Sequence, residues 1–201
     1  MGMCALHGHH HDHDHEHKKN EKATGQLRAE HEGIRLMIKI LEKVSEDINN
    51  AKVEDLEKMV EFIKVFADKC HHAKEETLLF PALEAAGIPN EGGPIGVMLM
   101  EHDMGREFVA GMGEALEKMK AGDKEAGKEF AENALGYGNL LTSHIEKENN
   151  ILFHMAEMSF SEEKDEELFL GFENIEKEKI GAGKHEEFHS LLDRLAAEYL
   201  K

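Results

Sequence analysis

Tryptophan is absent from this 201-residue chain, proline occurs three times and cysteine twice. Cys4 and Cys70 are too few for a disulfide scaffold and fit a reducing cytoplasm. Cys70, near an apolar stripe, is read as filling space. All three prolines fall between Pro81 and Pro94, which leaves the rest of the chain free to form long helices. No apolar run approaches the roughly 20 residues needed to cross a bilayer, and the opening MGMCALHGHH lacks the apolar segment of a secretory signal. Basic residues are also scarce: 24 Lys and Arg against 42 Asp and Glu give a formal charge of -18. Nucleic acids and anionic membranes bind through basic faces, so both are excluded as partners and cations become the natural ones. The expectation is a soluble cytoplasmic protein.

What remains is helical. Hydrophobic residues make up 40% of the chain, enough for a real core. Residues 1–21 stand apart as a block that alternates His with Asp or Glu; its composition predicts a disordered tail, either a loose zinc or nickel chelator or a solvated segment without specific function. From Ala23 onward apolar residues recur at steps of three and four. Leu27, His31, Ile34, Ile38 and Leu41 mark a first helix ending near Asn50. A second runs from about Val53 to Ala86, where the breaker cluster GIPNEGGP stops it. A third carries Ile95, Met98, His102 and Val109 to Ala121, and a fourth, from about Asp123, carries Phe130, Leu141, His144, Glu148 and Ile151. The fold class is all-α: an antiparallel up-down four-helix bundle over residues 22–158. Two shorter helices in residues 159–201, the first capped by Ser161 and the second carrying Phe188, Leu192 and Leu195, pack on it.

Two stretches read almost alike. HHAKEETLLF (71–80) and SHIEKENNILF (143–153), aligned on Phe80 and Phe153, place His71 on His144, Lys74 on Lys147 and Glu75 on Glu148. His72 falls on Ile145, so the repeat selects His71 and leaves His72 outside. Upstream, EHEGIR (30–35) and EHDMGR (101–106) match at the Glu, the His and the Arg. About 71 residues separate His31 from His102 and about 73 separate His71 from His144, the near-constant period of an internally duplicated helix pair.

At about 1.5 Å rise per residue, the four histidines reach one level of the bundle. His31 and His71 lie about 19 and 20 residues from the first turn, and His102 and His144 about 20 and 22 from the third. Glu75 and Glu148 follow one turn along the same faces as His71 and His144. Burying four imidazoles and two carboxylates in an apolar layer costs several kcal/mol or more unless a cation satisfies them. Six donors exceed what one tetrahedral zinc needs. Two octahedral ions sharing bridging carboxylates would use all six, and imidazole with carboxylate but no thiolate suits iron, with manganese or zinc behind.

These residues closely resemble hemerythrin-like proteins built on the HHE cation-binding domain, over roughly Ala23 to Met158. The resemblance implies two iron ions bridged by oxide or hydroxide and by carboxylates. It implies His31, His71, His102 and His144 as ligands and Glu75 and Glu148 as the bridges. One departure concerns Arg106: oxygen carriers have a second histidine one turn after the third-helix ligand, where this chain has an arginine. The expectation is therefore four histidines, and an open coordination position on the ion nearest His102, shaped by Arg106.

Of the remaining polar residues, His72, Glu76, Glu30 and Glu101 either hydrogen-bond the ligand imidazoles or sit as interhelical or solvated groups, the commoner fate. His154 is read as a helix-end residue, and His185 and His189, one turn apart on the last helix, as lying outside the ligand set. The resemblance implies a protein that binds dioxygen or a related small ligand, for sensing or iron handling, more a binding protein than an enzyme. The alternatives are an enzyme processing peroxide or nitric oxide, a repair factor for iron-sulfur centres, or a metal buffer or zinc-stabilised bundle. Repair members carry a cysteine-containing module ahead of the bundle, and here only Cys4 precedes it. EGGPIG has no phosphate-loop lysine, and no nucleophilic triad or dinucleotide fingerprint offers another mechanism.

Overall fold

The computed structural model describes residues 22–181 and 183–201; the expected disordered tail, residues 1–21, and Cys4 within it lie outside them. Helix α1 spans Ala23–Glu46, and a single 3-10 turn, Ile48–Asn50, closes it. The second helix, α2, is built in pieces: α-helical Val53–Phe62, π-helical Ile63–His72, π-helical Glu75–Leu79 and α-helical Phe80–Ala85. Helix α3 spans Pro94–Lys120. The fourth, α4, runs as Ala126–Lys147, a π-helical Glu148–Leu152 and a final Phe153–Ser159. These four form the antiparallel bundle. Two shorter helices follow, α5 (Glu162–Lys179) and α6 (Lys184–Tyr199).

The boundaries follow from local chemistry. Gly87 and Gly92 adopt left-handed φ values of 95° and 69° inside the breaker cluster, and Pro94 opens α3, where its missing N–H costs nothing. The Ser161 side chain accepts a hydrogen bond from the Lys164 backbone N–H at 3.3 Å, the cap that starts α5. Gly181 and Gly183, both left-handed, separate α5 from α6.

The apolar interior is split in two. One cluster gathers Ile38, Leu41, Phe62, Ile63, Met112, Phe130 and Tyr137; the other gathers Leu27, Leu79, Phe80, Leu83, Ile95 and Phe153. The layer that divides them holds His31, His71, His72, Glu75, His102, His144 and Glu148, every one buried. The extension packs on the same two clusters. Leu168 and Phe172 of α5 join the second cluster, and Phe188, Leu192 and Leu195 of α6 join the first, each burial stabilising by about 1.5–3 kcal/mol. Helix α5 comes close to α2 at Gly171, where a Cβ would stand 2.7 Å from Leu78 Cδ1. Among the described residues no helix is long and apolar enough to cross a membrane.

Candidate metal centre

The dividing layer contains two groups of donors. His31, His71, Glu75 and Glu148 offer atoms within 4.8 Å of one another, and so do His72, Glu75, His102 and His144. Glu75 belongs to both. Its Oε1 lies 3.6 Å from His71 Nε2 and its Oε2 3.5 Å from His102 Nε2. Glu148 is placed the same way: Oε2 lies 3.2 Å from His31 Nε2 and Oε1 3.1 Å from His144 Nε2. Each carboxylate thus faces both groups, one oxygen to each side. All four of these oxygens are buried without a hydrogen-bond donor, as are His31 Nε2 and His72 Nε2. Buried acceptors are rarely left so, and a pair of cations between the two carboxylates fits what they lack.

Behind the donors stands a set of hydrogen bonds that fixes the imidazoles. Glu30 meets His71 Nδ1 at 2.8 Å and is itself held by the Lys74 ammonium; Glu101 meets His144 Nδ1 at 2.9 Å and is held by Lys147. The arrangement repeats with the sequence. Asn149 Oδ1 meets His31 Nδ1 at 3.0 Å, and at the equivalent place Glu76 Oε1 meets His102 Nδ1 at 2.8 Å. Nδ1 thus stands toward a fixed oxygen and Nε2 toward the interior, the orientation that a metal-binding imidazole needs. The expected ligands His31, His71, Glu75, His102, His144 and Glu148 are brought together in one layer, and Glu30, Glu101 and Glu76 are hydrogen-bonded to them. His154, by contrast, is exposed; His185 lies on α6 against Phe66, and His189, one turn on, is exposed and touches the His185 ring.

His72 stands inside the buried layer. The repeat set it outside; the structure places its ring 3.8 Å from that of His102, nearly parallel, inside the second donor group. His71 and His72 end the π-helical stretch Ile63–His72 and are both buried, as are the aligned His144 and Ile145 on the α-helical part of α4. A signal was present: Ile145, the aligned residue, is itself fully inward and buried. The Arg106 guanidinium is fixed by Asp68, at 2.8 Å, by Asp103, at 2.9 Å, and by Glu76, the carboxylate that also meets His102. Lys74, buried within the layer's support, was missed; its duplication as Lys147 was the sign.

The electrostatics follow from burial. Glu75 is pushed well above the ordinary carboxylate range by its burial and by the charge of Glu148 beside it. Burial opposes ionisation of Glu30 too, but the His71 hydrogen bond and the Lys74 ammonium hold it at about 2. Burial lowers the His71 pKa to about 4, against the pull of Glu30, and holds that of His72 well below the ordinary imidazole range, helped by His102. Deprotonated imidazoles are the form that binds metals. Burial pushes the Cys70 thiol up to about 12, so it stays a protonated space-filler, as its position suggested.

A four-helix bundle with two clusters of buried histidine and glutamate defines a protein arranged to bind a binuclear metal centre. The chain matches the family model of the hemerythrin HHE cation binding domain over residues 22–156 and belongs to that family. No curated protein and no solved structure matches it. Binding of cations is the activity that this membership carries.

Proposed function

We propose that the chain holds two iron ions bridged by Glu75 and Glu148, with an oxide or hydroxide, and binds dioxygen or a related small ligand between them and the protein, in the cytoplasm. The observation that carries the reading is the placement of the four donor-less carboxylate oxygens, two toward each histidine group. His31 and His71 would hold one ion, and His72, His102 and His144 the other. Imidazole and carboxylate without thiolate favour iron, manganese or zinc over copper(I). Iron bound there would supply electron exchange with the small ligand.

The chain's own residues do the rest. The His31–His71 side offers two imidazoles and two carboxylate oxygens, one donor fewer than the other side, so an exogenous ligand finds room there and not beside Arg106. Phe153, stacked on His31 with centroids 5.5 Å apart, and the apolar cluster around Leu27 and Leu79 keep bulk water from that side. Glu30 and Glu101 hold the imidazoles in place, and the Lys74 and Lys147 ammoniums hold the glutamates. Metal analysis and absorption spectra of anaerobically purified protein, before and after air, test the reading. Two irons per chain with a visible band that changes reversibly in air support it. Irreversible turnover points to peroxide or nitric oxide chemistry, and stoichiometric zinc with no spectral response overturns the iron assignment.

A further inference from the structure

A cavity of about 200 Å³ lies where α5 and α6 cover α1 and α2. Half of its wall comes from Glu176, His185, Phe188, His189 and Leu192, all beyond the segment that matches the family, so the extension builds something that the bundle alone lacks. At one end Phe62, Phe66 and Phe188 form an aromatic cluster with ring centroids 5.0–6.0 Å apart. Gly33 lines the cavity too; a Cβ there would already be in van der Waals contact with Leu192 and Phe66, at 3.5 and 3.9 Å, so a larger side chain would crowd it.

The wall at Gln26, Glu30 and Glu176 is polar and short of positive charge, while His185 touches Phe66 with ring centroids 5.7 Å apart. Glu30 and Glu176 share one ammonium, that of Lys74, which stands 3.2 Å from Glu176 Oε2. Gln26 spends its Nε2 on Glu176, at 3.3 Å, and its Oε1 is buried with no donor. An unmet acceptor, a surplus carboxylate and the imidazoles of His185 and His189, at 4.6 Å between rings, ask for a group that donates several hydrogen bonds and carries positive charge. The aromatic end asks for an apolar body, and a cavity near 150 Å³ is about enough for one benzene-sized ring. We propose that this cavity is a binding site for a small organic cation: a primary ammonium, seated among Gln26, Glu176 and the two histidines, on an apolar body of about one ring. The site stands whether or not the metal centre holds iron, although Glu30 places it one carboxylate away from His71.

Isothermal titration of the full chain with 2-phenylethylammonium tests it, with 2-phenylethanol and phenylacetate as the neutral and anionic counterparts of the same shape. The amine is expected to bind at one site per chain, and both counterparts at least about tenfold more weakly, since they lose a charge-assisted hydrogen bond. Gly33→Leu fills the space and abolishes binding; Glu176→Gln keeps the shape, removes the surplus charge and weakens binding by about tenfold or more. If Gly33→Leu fails to fold, Glu176→Gln decides. Absence of saturable heat from the amine, equal binding of the acid, or an unaltered affinity in Glu176→Gln overturns the proposal. None of these readings depends on metal content, so failure here is separable from failure of the di-iron assignment.

Discussion

His72 and His102 stack with centroids 3.8 Å apart and ring planes 13° from parallel, and both stand within reach of Glu75 and His144. Five buried histidines therefore border the two donor groups, with His72 reaching the second one from α2.

His72→Ala is accordingly expected to lose one of the two metals. His71→Ala should do the same from the opposite group. Metal content after dialysis against a weak chelator, with circular dichroism as the folding control, checks both. Retention of two ions by His72→Ala would return it to the supporting role that the repeat suggested. Deletion of residues 1–21 should leave the count at two.

Glu75 has both oxygens buried and no donor for either. Without metal it is a cost, and an apolar residue of similar length should relieve it. Glu75→Met is expected to raise the stability of the metal-free protein by about 1–4 kcal/mol while removing the rise in melting temperature that metal gives the parent chain. Thermal unfolding with and without chelator reads both effects; an unchanged or lower melting point for metal-free Glu75→Met would show that the carboxylate is satisfied in some other way.

Glu76 and Asn149 occupy equivalent places behind His102 and His31, one charged and one neutral. A carboxylate makes its imidazole the stronger donor. Glu76→Asn should weaken the three-histidine position by about 10–100-fold, leaving the other position near its parent affinity. Competition titration against a chromophoric chelator, resolving the two binding steps, is the measurement. Equal weakening of both steps would point to general distortion.

Asp55 ties α6 to the bundle, accepting from Arg194 and from the Tyr199 hydroxyl, each at 2.8 Å. Burial would raise its pKa, but the two hydrogen bonds outweigh it and the folded value is depressed. Its contribution is therefore fully present above the unfolded value of about 3.9 and lost as pH falls through the lower, folded one. Arg194 is half exposed, so Asp55→Asn should cost only about 1–2 kcal/mol at pH 7 and progressively less below pH 4. Urea unfolding at pH 7 and pH 3 checks it.

Much of the fold was legible because the bundle's stripes are long and its stops are chemically blunt: GIPNEGGP, Ala121-Gly122 and Ser161 each end or begin a helix where sequence placed them. The six expected donors were legible because duplication repeated them. What escaped was backbone geometry. Nothing in Ile63–His72 announces a π-helix; for the shorter π turn Glu75–Leu79, proline is not the cause, since its counterpart Glu148–Leu152 is π-helical with His154 where the other half has Pro81. What the two π turns around Glu75 and Glu148 share is a buried bridging carboxylate, a tertiary demand that a periodicity of 3.6 residues does not encode. Lys74 escaped for a similar reason: lysine is rarely buried, and its carboxylate partners Glu30 and Glu176, both far away in the chain, make its burial tolerable.

The repeated Lys–Glu–His chains carry a consequence for ancestry. Each helical hairpin supplies one complete half of the donor layer: a histidine on its first helix, a histidine and a bridging glutamate on its second, and the glutamate that supports them. Two identical hairpins placed about a two-fold axis would build the whole layer with no further invention, as an isologous homodimer. Fusion of such a dimer into one chain would then free its halves to diverge. His72 against Ile145, and Glu76 against Asn149, are where they did so, and both changes enrich the same donor group, turning a symmetric pair into one group with three histidines and one with two.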